Sequence, residues 1–212
     1  KTGADVAADL GAGGGTITAD TLSLDATSQG PGANGQGRSA EAIAQASGGG
    51  VLIGVQSANA FAENKDSVSA DIADGAVIIA GELSMGASSR SEQLAHAKAA
   101  SAGLVGVGAA DANATTDITV KARVGTGTDI TADTMAVTAG GSSDNTARTR
   151  TGAYGFASGA AARPETHSTA DIDAHIADAA GAGDAAVINV AGLFKMSSSQ
   201  TSKVDTEVDT ES

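Results

Sequence analysis

Apolar and polar residues alternate with a period of two along most of the chain. In the stretch TTDITVKARVG, the apolar residues all fall on one face: Ile118, Val120, Ala122 and Val124. The stretch DSVSADIAD repeats the pattern with Val68, Ala70 and Ile72. Such alternation, in segments rich in β-branched residues, predicts half-buried β-strands.

The alternation belongs to a degenerate internal repeat. Four boxes, TLSLDA, ELSMGA, TMAVTA and LFKMSS, carry two alternating large apolar residues. The first large residues of these boxes are spaced by 61, 52 and 59 positions, at Leu22, Leu83, Met135 and Phe194. A second set of boxes is spaced by 66, 46 and 54 positions, at Asp5, Asp71, Asp117 and Asp171. Both sets indicate units of about 55 residues, beginning near these four aspartates, with a partial unit at each end.

The alternation reverses at a fixed place in the unit. In the string ITADT, which occurs twice, Ile and Ala share one face, and the next large apolar residue takes the opposite face. The reversal falls over Asp20, Gly81 and Asp133, and it predicts a corner at which the chain turns between strands. In the fourth unit no reversal is visible, because Ile188 keeps step with Phe194.

One segment has the composition of a helix. SEQLAHAKAASAG, from Ser91, combines a cap residue, good helix formers and a terminal glycine. Its aligned counterpart SAEAIAQASGGG alternates strictly, and NTARTRTGAYGFASGA is rich in threonine and glycine. Because equivalent positions in a repeat share a structure, we predict strands for all three. Their inward faces of Ala, Gly and Thr would let facing sheets approach closely.

Short strands, fixed corners and a tandem unit predict an all-β chain. The predicted fold is an elongated β-solenoid, similar to a parallel β-helix, that forms one segment over residues 1–212. With roughly 20 residues per coil, each unit would supply two or three coils. An elongated β-sandwich of Gly/Ala-rich strands is the alternative. The chain begins at Lys1 inside a unit and ends inside another, so we expect a processed protein or a segment of a larger one.

Composition supports a thin interior and limits the classes of partner. Glycine supplies 29 residues, whereas Phe, Tyr and Trp supply three, one and none. The net charge of −13 disfavours nucleic acid and anionic membranes as partners. The absence of cysteine excludes thiol chemistry and disulfides. No apolar run approaches the roughly 18 residues of a membrane span.

Few motifs carry chemistry. GPGANG at residues 30–35 matches G-x-G-x-x-G, but no helix pattern opens at its last glycine, so we interpret it as a loop. Asp171, Asp173 and His175 fall on one outer strand face and could hold a divalent cation such as calcium; a solvated strand face is the alternative. No hydrolase, zinc-protease or P-loop motif occurs. We therefore predict no catalytic residues, no cofactor and no enzymatic activity.

Several outward positions carry residues that suggest contact with a partner. The apolar ones are Ile43, Leu94, Tyr154 and Phe156. Exposed apolar rows predict contact with another chain, and cover by loops is the alternative. Outward threonines resemble the hydroxyl arrays of ice-binding solenoids, although the equivalent positions of other units are not threonine; they are Thr16, Thr18, Thr131 and Thr134.

The chain resembles the repeat region of large secreted filamentous adhesins of the leukotoxin and filamentous-haemagglutinin type. The resemblance is carried by three stretches: ADIADGAVIIAGELSMGA, DITADTMAVTAGGSSDNTA and AHAKAASAGLVGVGAADANATT. The resemblance implies a right-handed β-solenoid exported to the bacterial cell surface, which acts as a stalk, adhesin or biofilm matrix fibre without catalytic residues. We expect its partners to be copies of itself or further repeats, stacked or bundled, and surface glycans. The alternative function is a ligand-binding solenoid, for ice or for calcium-bridged polysaccharide.

Overall fold

The computed structural model describes residues 2–11, 15–29, 39–181 and 183–211. These residues form ten β-strands and no helix. The strands are β1 (Thr2–Leu10), β2 (Thr16–Gln29), β3 (Ala40–Gly49), β4 (Ile53–Ile72), β5 (Val77–Ala102), β6 (Val105–Val124), β7 (Asp129–Tyr154), β8 (Ala157–Ile176), β9 (Val187–Val190) and β10 (Phe194–Glu211).

Two parallel sheets face each other and share one core. Sheet 1 has the strand order β1-β4-β6-β8, and sheet 2 has the order β10-β7-β5-β2, with β3 also paired to β5 and β9 to β7. The chain passes alternately from sheet 1 to sheet 2, so each coil contributes one level to each sheet. The predicted all-β parallel solenoid is therefore confirmed. Because the solenoid is flattened into two facing sheets, it also has the two-layer arrangement of the β-sandwich given as the alternative.

The predicted coil of roughly 20 residues is wrong, because one repeat unit forms a single coil. Ile53 pairs with Val105, and Val105 pairs with Ala157, so the central coils are 52 residues long. The strands of these coils are 20 and 26 residues long, far longer than the sequence pattern suggested. Small side chains continue the alternation without a turn signal, so the strands run on where short ones were expected.

The ladder confirms one of the two repeat alignments. Leu22 pairs with Leu83, Leu83 with Met135, and Met135 with Phe194, as the first set of boxes predicted. The second alignment is wrong, because Asp5 pairs with Ser67 rather than with a residue of its predicted box, and it shares a row with Thr119 and Asp171. The other two aspartates stack elsewhere: Asp71 on Asp9, and Asp117 on Lys65. A period of two allows shifts of two or four residues without changing which face is buried, so the pattern alone cannot set the register.

The reversal of alternation is real, but it lies inside the strands of sheet 2. In β5, Ile78 is buried before Gly81 and Leu83 is buried after it. The ladder omits the pairs of Gly81 with Asp20 and Asp133 but continues in the same register on both sides. The predicted corner between strands is therefore wrong. The site is a bulge-like kink that changes which residues face the core without ending the strand.

In the fourth unit the strand is interrupted at this place, since β9 ends at Val190 and β10 begins at Phe194, and one residue is inserted. Ile130 pairs with Ile188 across 58 positions, whereas Met135 pairs with Phe194 across 59. The extra residue restores an even spacing, which explains why the alternation there showed no reversal.

The true corners are short turns that stack on each other. On one edge, Gly75 and Gly127 adopt φ of 72° and 62°, a left-handed conformation that favours glycine. The amide of Gly75 donates to the carbonyl of Thr126 at 2.8 Å, so this turn continues the ladder into the next coil.

The core has two apolar compartments of different composition. Beside the glycine turns, aliphatic residues of both sheets pack together; the largest are Ile72, Ile78, Leu83, Met85, Ile130 and Met135. Toward the opposite edge, the buried cluster is made entirely of alanine: Ala40, Ala58, Ala60, Ala62, Ala95, Ala97, Ala99, Ala110, Ala112, Ala114 and Ala147. The segment with helix-like composition lies in β5 within this cluster, so the predicted strand and its small inward residues are confirmed.

A polar belt separates the two compartments. It consists of the buried residues Ser28, Asn64, Asp66, Ser89, Ser91, Gln93, Thr116, Ser143 and Asn145. These residues face inward, because Asn64 and Asp66 continue the buried alternation of β4 that includes Val68. Buried polar groups must be paired, so the belt constrains how the two sheets face each other.

Asp66 is the charged member of the belt. Its carboxylate accepts hydrogen bonds from the hydroxyls of Ser89 at 3.0 Å and Ser28 at 3.3 Å, and from the amide of Ala4 at 3.1 Å. These donors lie on three different strands, so the carboxylate ties both sheets together. In the next coil Ile118 stacks on Asp66, and the facing position is Gly141. A Cβ at Gly141 would collide with the Ile172 side chain. At this level a large apolar residue therefore takes the place of Asp66, and a glycine takes the place of the facing serine.

We predict that Asp66→Ala lowers the free energy of unfolding by about 2–4 kcal/mol, because two hydroxyls and one amide lose their buried acceptor. The matched control is Asp71→Ala on the same strand, where the half-exposed side chain faces outward, and it should change stability by less than about 0.5 kcal/mol. Urea unfolding followed by circular dichroism measures both. Equal losses in the two variants would contradict the role given to the belt.

Candidate functional site

The predicted cation ligands lie on the outer face of β8 but do not form one site. Asp171 lies 3.4 Å from the ammonium of Lys121 on the adjacent strand. Asp173 lies 2.8 Å from Nδ1 of His175, although the two groups are not aligned for a hydrogen bond. Among the described residues, no three His, Cys, Asp or Glu side chains come together in a metal-binding arrangement. The row is instead divided between separate partners.

The two ITADT strings lie at the kink of sheet 2, on either side of β5. A shallow outer groove of about 570 Å³ is lined there by Thr18, Asp20, Ile79, Thr131 and Asp133, together with Gly81 and three neighbouring alanines. Thr18 and Thr131 belong to one row of stacked residues, but Ile79 lies between them and Asn189 follows Thr131. The exposed threonines therefore do not form a continuous hydroxyl ladder. The GPGANG motif lies outside the described residues.

The four predicted contact residues have different surroundings. Ile43 and Tyr154 are about half exposed, and Phe156 is 95% exposed. The prediction for Leu94 is wrong, because this side chain is buried, with 8% exposure. Leu94 does point outward by parity, but its row neighbours Glu41 and Thr146 flank it along the sheet.

Several pairs of opposite charges link the outer faces of adjacent coils. Arg148 and Arg150 of β7 contact Glu207 and Asp209 of β10 at 3.1 and 3.2 Å. Lys121 of β6 contacts β8 in the same way, and Lys203 of β10 contacts β7. Each exposed pair stabilises little by itself. Together, these cross-strand pairs add small favourable contacts between adjacent coils. Sequence inspection missed these rows, because residues about 60 positions apart become neighbours only once the coil length is known.

The end of β10 carries the densest of these contacts. Glu211 accepts hydrogen bonds of 2.7 Å from the hydroxyl of Tyr154 and from the guanidinium of Arg150. These two hydrogen bonds hold the pKa of Glu211 below its ordinary value. The same contacts raise the pKa of Tyr154 and of Arg150. The ionised form of Glu211 therefore fastens the last strand to β7.

A similar contact fixes a corner. The backbone amide of Thr126 donates to the carboxylate of Asp74 at 2.8 Å, and Arg123 donates to the same oxygen. The pKa of Asp74 is lowered, chiefly by the Thr126 amide and then by Arg123. This carboxylate links the glycine turns of successive coils.

The two ends of the stack leave core residues uncovered. In the inward row of Ala97, Thr149 and Val208, the first two are buried and Val208 is 53% exposed. Phe194 is likewise 42% exposed, although its neighbour Met135 is buried. At the other end, Leu22 and similar residues are only partly covered. Each end thus presents a sheet edge with apolar side chains beside it.

Pro164 lies within the open edge of sheet 1. The amide of Ala157 donates to Leu104, just before β6, and the amide of Ala177 donates to Val124 at the end of β6. Alternate amides of β8 from Ala157 onward therefore point to β6, and the intervening ones point to the open edge. Pro164 occupies one of the intervening positions. Its missing N–H therefore costs no hydrogen bond in the β6–β8 ladder, which is the placement that proline requires in an edge strand.

The fold defines the protein as a parallel β-solenoid with two facing sheets. No family model, curated protein or solved structure matches this chain. None of the residues that the structure describes form a helix long and apolar enough to cross a membrane.

We predict that acid loosens the end of β10. Because the pKa of Glu211 is depressed in the folded chain, its stabilising contribution is present above the ordinary glutamate value of about 4.3 and is lost as the pH falls through the lowered value. Amide exchange by NMR, corrected for intrinsic rates, should show that protection of Thr206–Glu211 falls at about pH 3 relative to about pH 6.

The variant Arg150→Gln should shrink this pH response, because Glu211 then keeps only one of its two hydrogen-bond donors. Arg163→Gln on β8 is the control, since Arg163 contacts Glu165 on its own strand. Identical protection at both pH values in the unmodified chain would refute the assignment.

Proposed function

We propose that this chain is a non-enzymatic structural segment of an extracellular fibre, of the filamentous-adhesin type suggested by its sequence. The observation that supports the proposal most directly is the pair of open ends. There, rows of inward side chains that are buried in the middle coils end in side chains that are about half exposed. A further coil would pair the free backbone edges and cover these apolar side chains. The coil would come from further repeats of the same chain or from another copy.

The two ends are compatible in shape. Strand β1 covers residues 64–72 of β4 and no described strand covers 53–63 on that side. By the same register, the part of β8 that a second β1 would cover is Ser168–Ile176, which begins after Pro164. The inward residues would continue their rows, because Val6 would stack on Ile172 and Leu10 on Ile176.

The outer charges would oppose this contact at low ionic strength. In the extended register, Asp5 would lie on Asp171 and Glu41 on Asp205. Like charges directly opposite each other are destabilising, and salt screens them. The proposal therefore includes an association that salt strengthens. A role at the bacterial cell surface, with glycans as ligands of the outer faces, completes the proposed function.

We predict that the isolated chain forms rods that lengthen with salt. One copy has four levels at a spacing of about 4.8 Å, so it is only about 20 Å tall along its axis. Negative-stain images in about 1 M salt should show rods many times this length, and images in about 0.01 M salt should show shorter ones. Single particles under both conditions would contradict the proposal.

A pair of proline variants tests the proposed contact. Ala170 and Ala162 of β8 both face inward, and their amides point to the open edge. Ala170→Pro removes a donor that a second β1 would use and should shorten the rods. Ala162→Pro is the control, because it lies in the part that β1 does not reach. Equal rod lengths in the two variants would exclude this contact.

A further inference from the structure

An apolar stripe runs along the edge at which sheet 2 turns into sheet 1. We name it the apolar edge, and its members are Val51, Leu52, Ile53, Val55, Leu104, Val105, Val107 and Phe156. The turns stack in register, because the amide of Val105 donates to Leu52 at 2.8 Å and that of Ala157 donates to Leu104 at 3.1 Å. Each of three successive coils therefore adds a large apolar side chain to the stripe.

The side chains of the apolar edge are open to solvent. Their exposed fractions range from 38% at Val105 to 95% at Phe156. The two outward rows beside the turn are also apolar, since Ile53 pairs with Val105 and Val55 with Val107. Contiguous apolar surface of this kind marks an interaction site on a soluble chain.

The apolar edge carries no charge, in contrast to the rest of the chain. Residues 50–58, 103–110 and 155–162 contain no Asp, Glu, Lys, Arg or His, although the chain has a net charge of −13. The opposite edge contains Asp74 and Arg123 in contact with each other. Two copies of so acidic a chain would repel each other in most orientations, but not with their apolar edges in contact.

The size of the stripe suits a partner of the same kind. Its eight side chains together expose an area of the same order as the roughly 800 Å² per partner that a stable interface buries. A homodimer places one surface patch against its own copy, so an uncharged patch meets an uncharged patch. A partner of opposite charge would find no complementary group in this stripe.

We propose that the apolar edge is a lateral interface at which two copies of this chain pair side by side. This interface differs from the open ends, because it lies parallel to the solenoid axis and uses no free backbone edge. When the whole stripe is paired with its own copy about a two-fold axis, the middle coil of one copy faces the middle coil of the other. Leu104 of the two copies would then lie close together.

The chain has no cysteine, so a single introduced thiol reports this contact. Leu104→Cys should form a covalent dimer rapidly under mild oxidation. Ile43→Cys, on the outer face of sheet 2 and of similar exposure, is the control and should form one slowly. Equal rates for the two variants would overturn the proposal.

Sedimentation velocity gives an independent test at low salt, where stacking of the ends is weakest. The unmodified chain should sediment as a dimer, and Leu104→Asp should weaken dimerisation at least about tenfold, because two carboxylates would enter an apolar contact. Ile79→Asp, at an outward position of β5, should leave the dimer intact. Circular dichroism checks that each variant is folded.

The outcomes separate the two proposals. Dimers without rods would support the lateral interface and refute the fibre, whereas rods without cross-linking at position 104 would do the reverse. A monomer that co-sediments with phosphatidylcholine vesicles would assign the apolar edge to a lipid surface and overturn the lateral interface.

Discussion

The in-register parallel ladder is the constraint on which the rest of this structure depends. Once Ile53 is fixed opposite Val105, every residue of one coil has a defined neighbour in the next. Equivalent side chains then form rows along the axis, and each side chain must fit against its neighbours in the row at a spacing of about 4.8 Å. The aliphatic rows, the alanine rows and the polar belt are three solutions to this requirement.

The interior shows how such a chain stays folded with few large residues. Aliphatic packing is limited to the side near the glycine turns, and alanine fills the other side. The polar belt between them contributes specificity, because Asp66 is satisfied only when donors from both sheets lie opposite it. A slip of one coil against the next would leave buried polar groups without partners, which costs more than the loss of an apolar contact.

The sequence could predict the strands, their buried faces and the row from Leu22 to Phe194, because all of these follow from parity and from large residues that recur at matching positions. It could not predict the coil length, since alanine and glycine neither end a strand nor distinguish one register from another. The kink at Gly81 illustrates the limit: a change of parity is visible in sequence, but a bend within a strand and a turn between strands produce the same pattern.

The candidate surfaces depended more on tertiary structure. The exposure of Phe156 was predicted correctly, whereas Leu94 is buried by neighbours in its row that lie about 50 residues away. The inward placement of Asp66 could have been found by extending the alternation of Val68 backward by one step. The apolar edge required the coil length, because Leu52, Leu104 and Phe156 become one stripe only when they stack.

The two ITADT strings provide the most direct test of the 52-residue coil. Thr21 pairs with Glu82, and Glu82 pairs with Thr134, so the two exposed threonines lie two levels apart, at about 10 Å between their backbones. Spin labels on Thr21→Cys and Thr134→Cys should therefore show strong dipolar broadening in continuous-wave spectra, beyond that of either single label. With coils of roughly 20 residues the labels would be more than about 25 Å apart, and a spectrum equal to the sum of the single-label spectra would contradict the two-sheet solenoid.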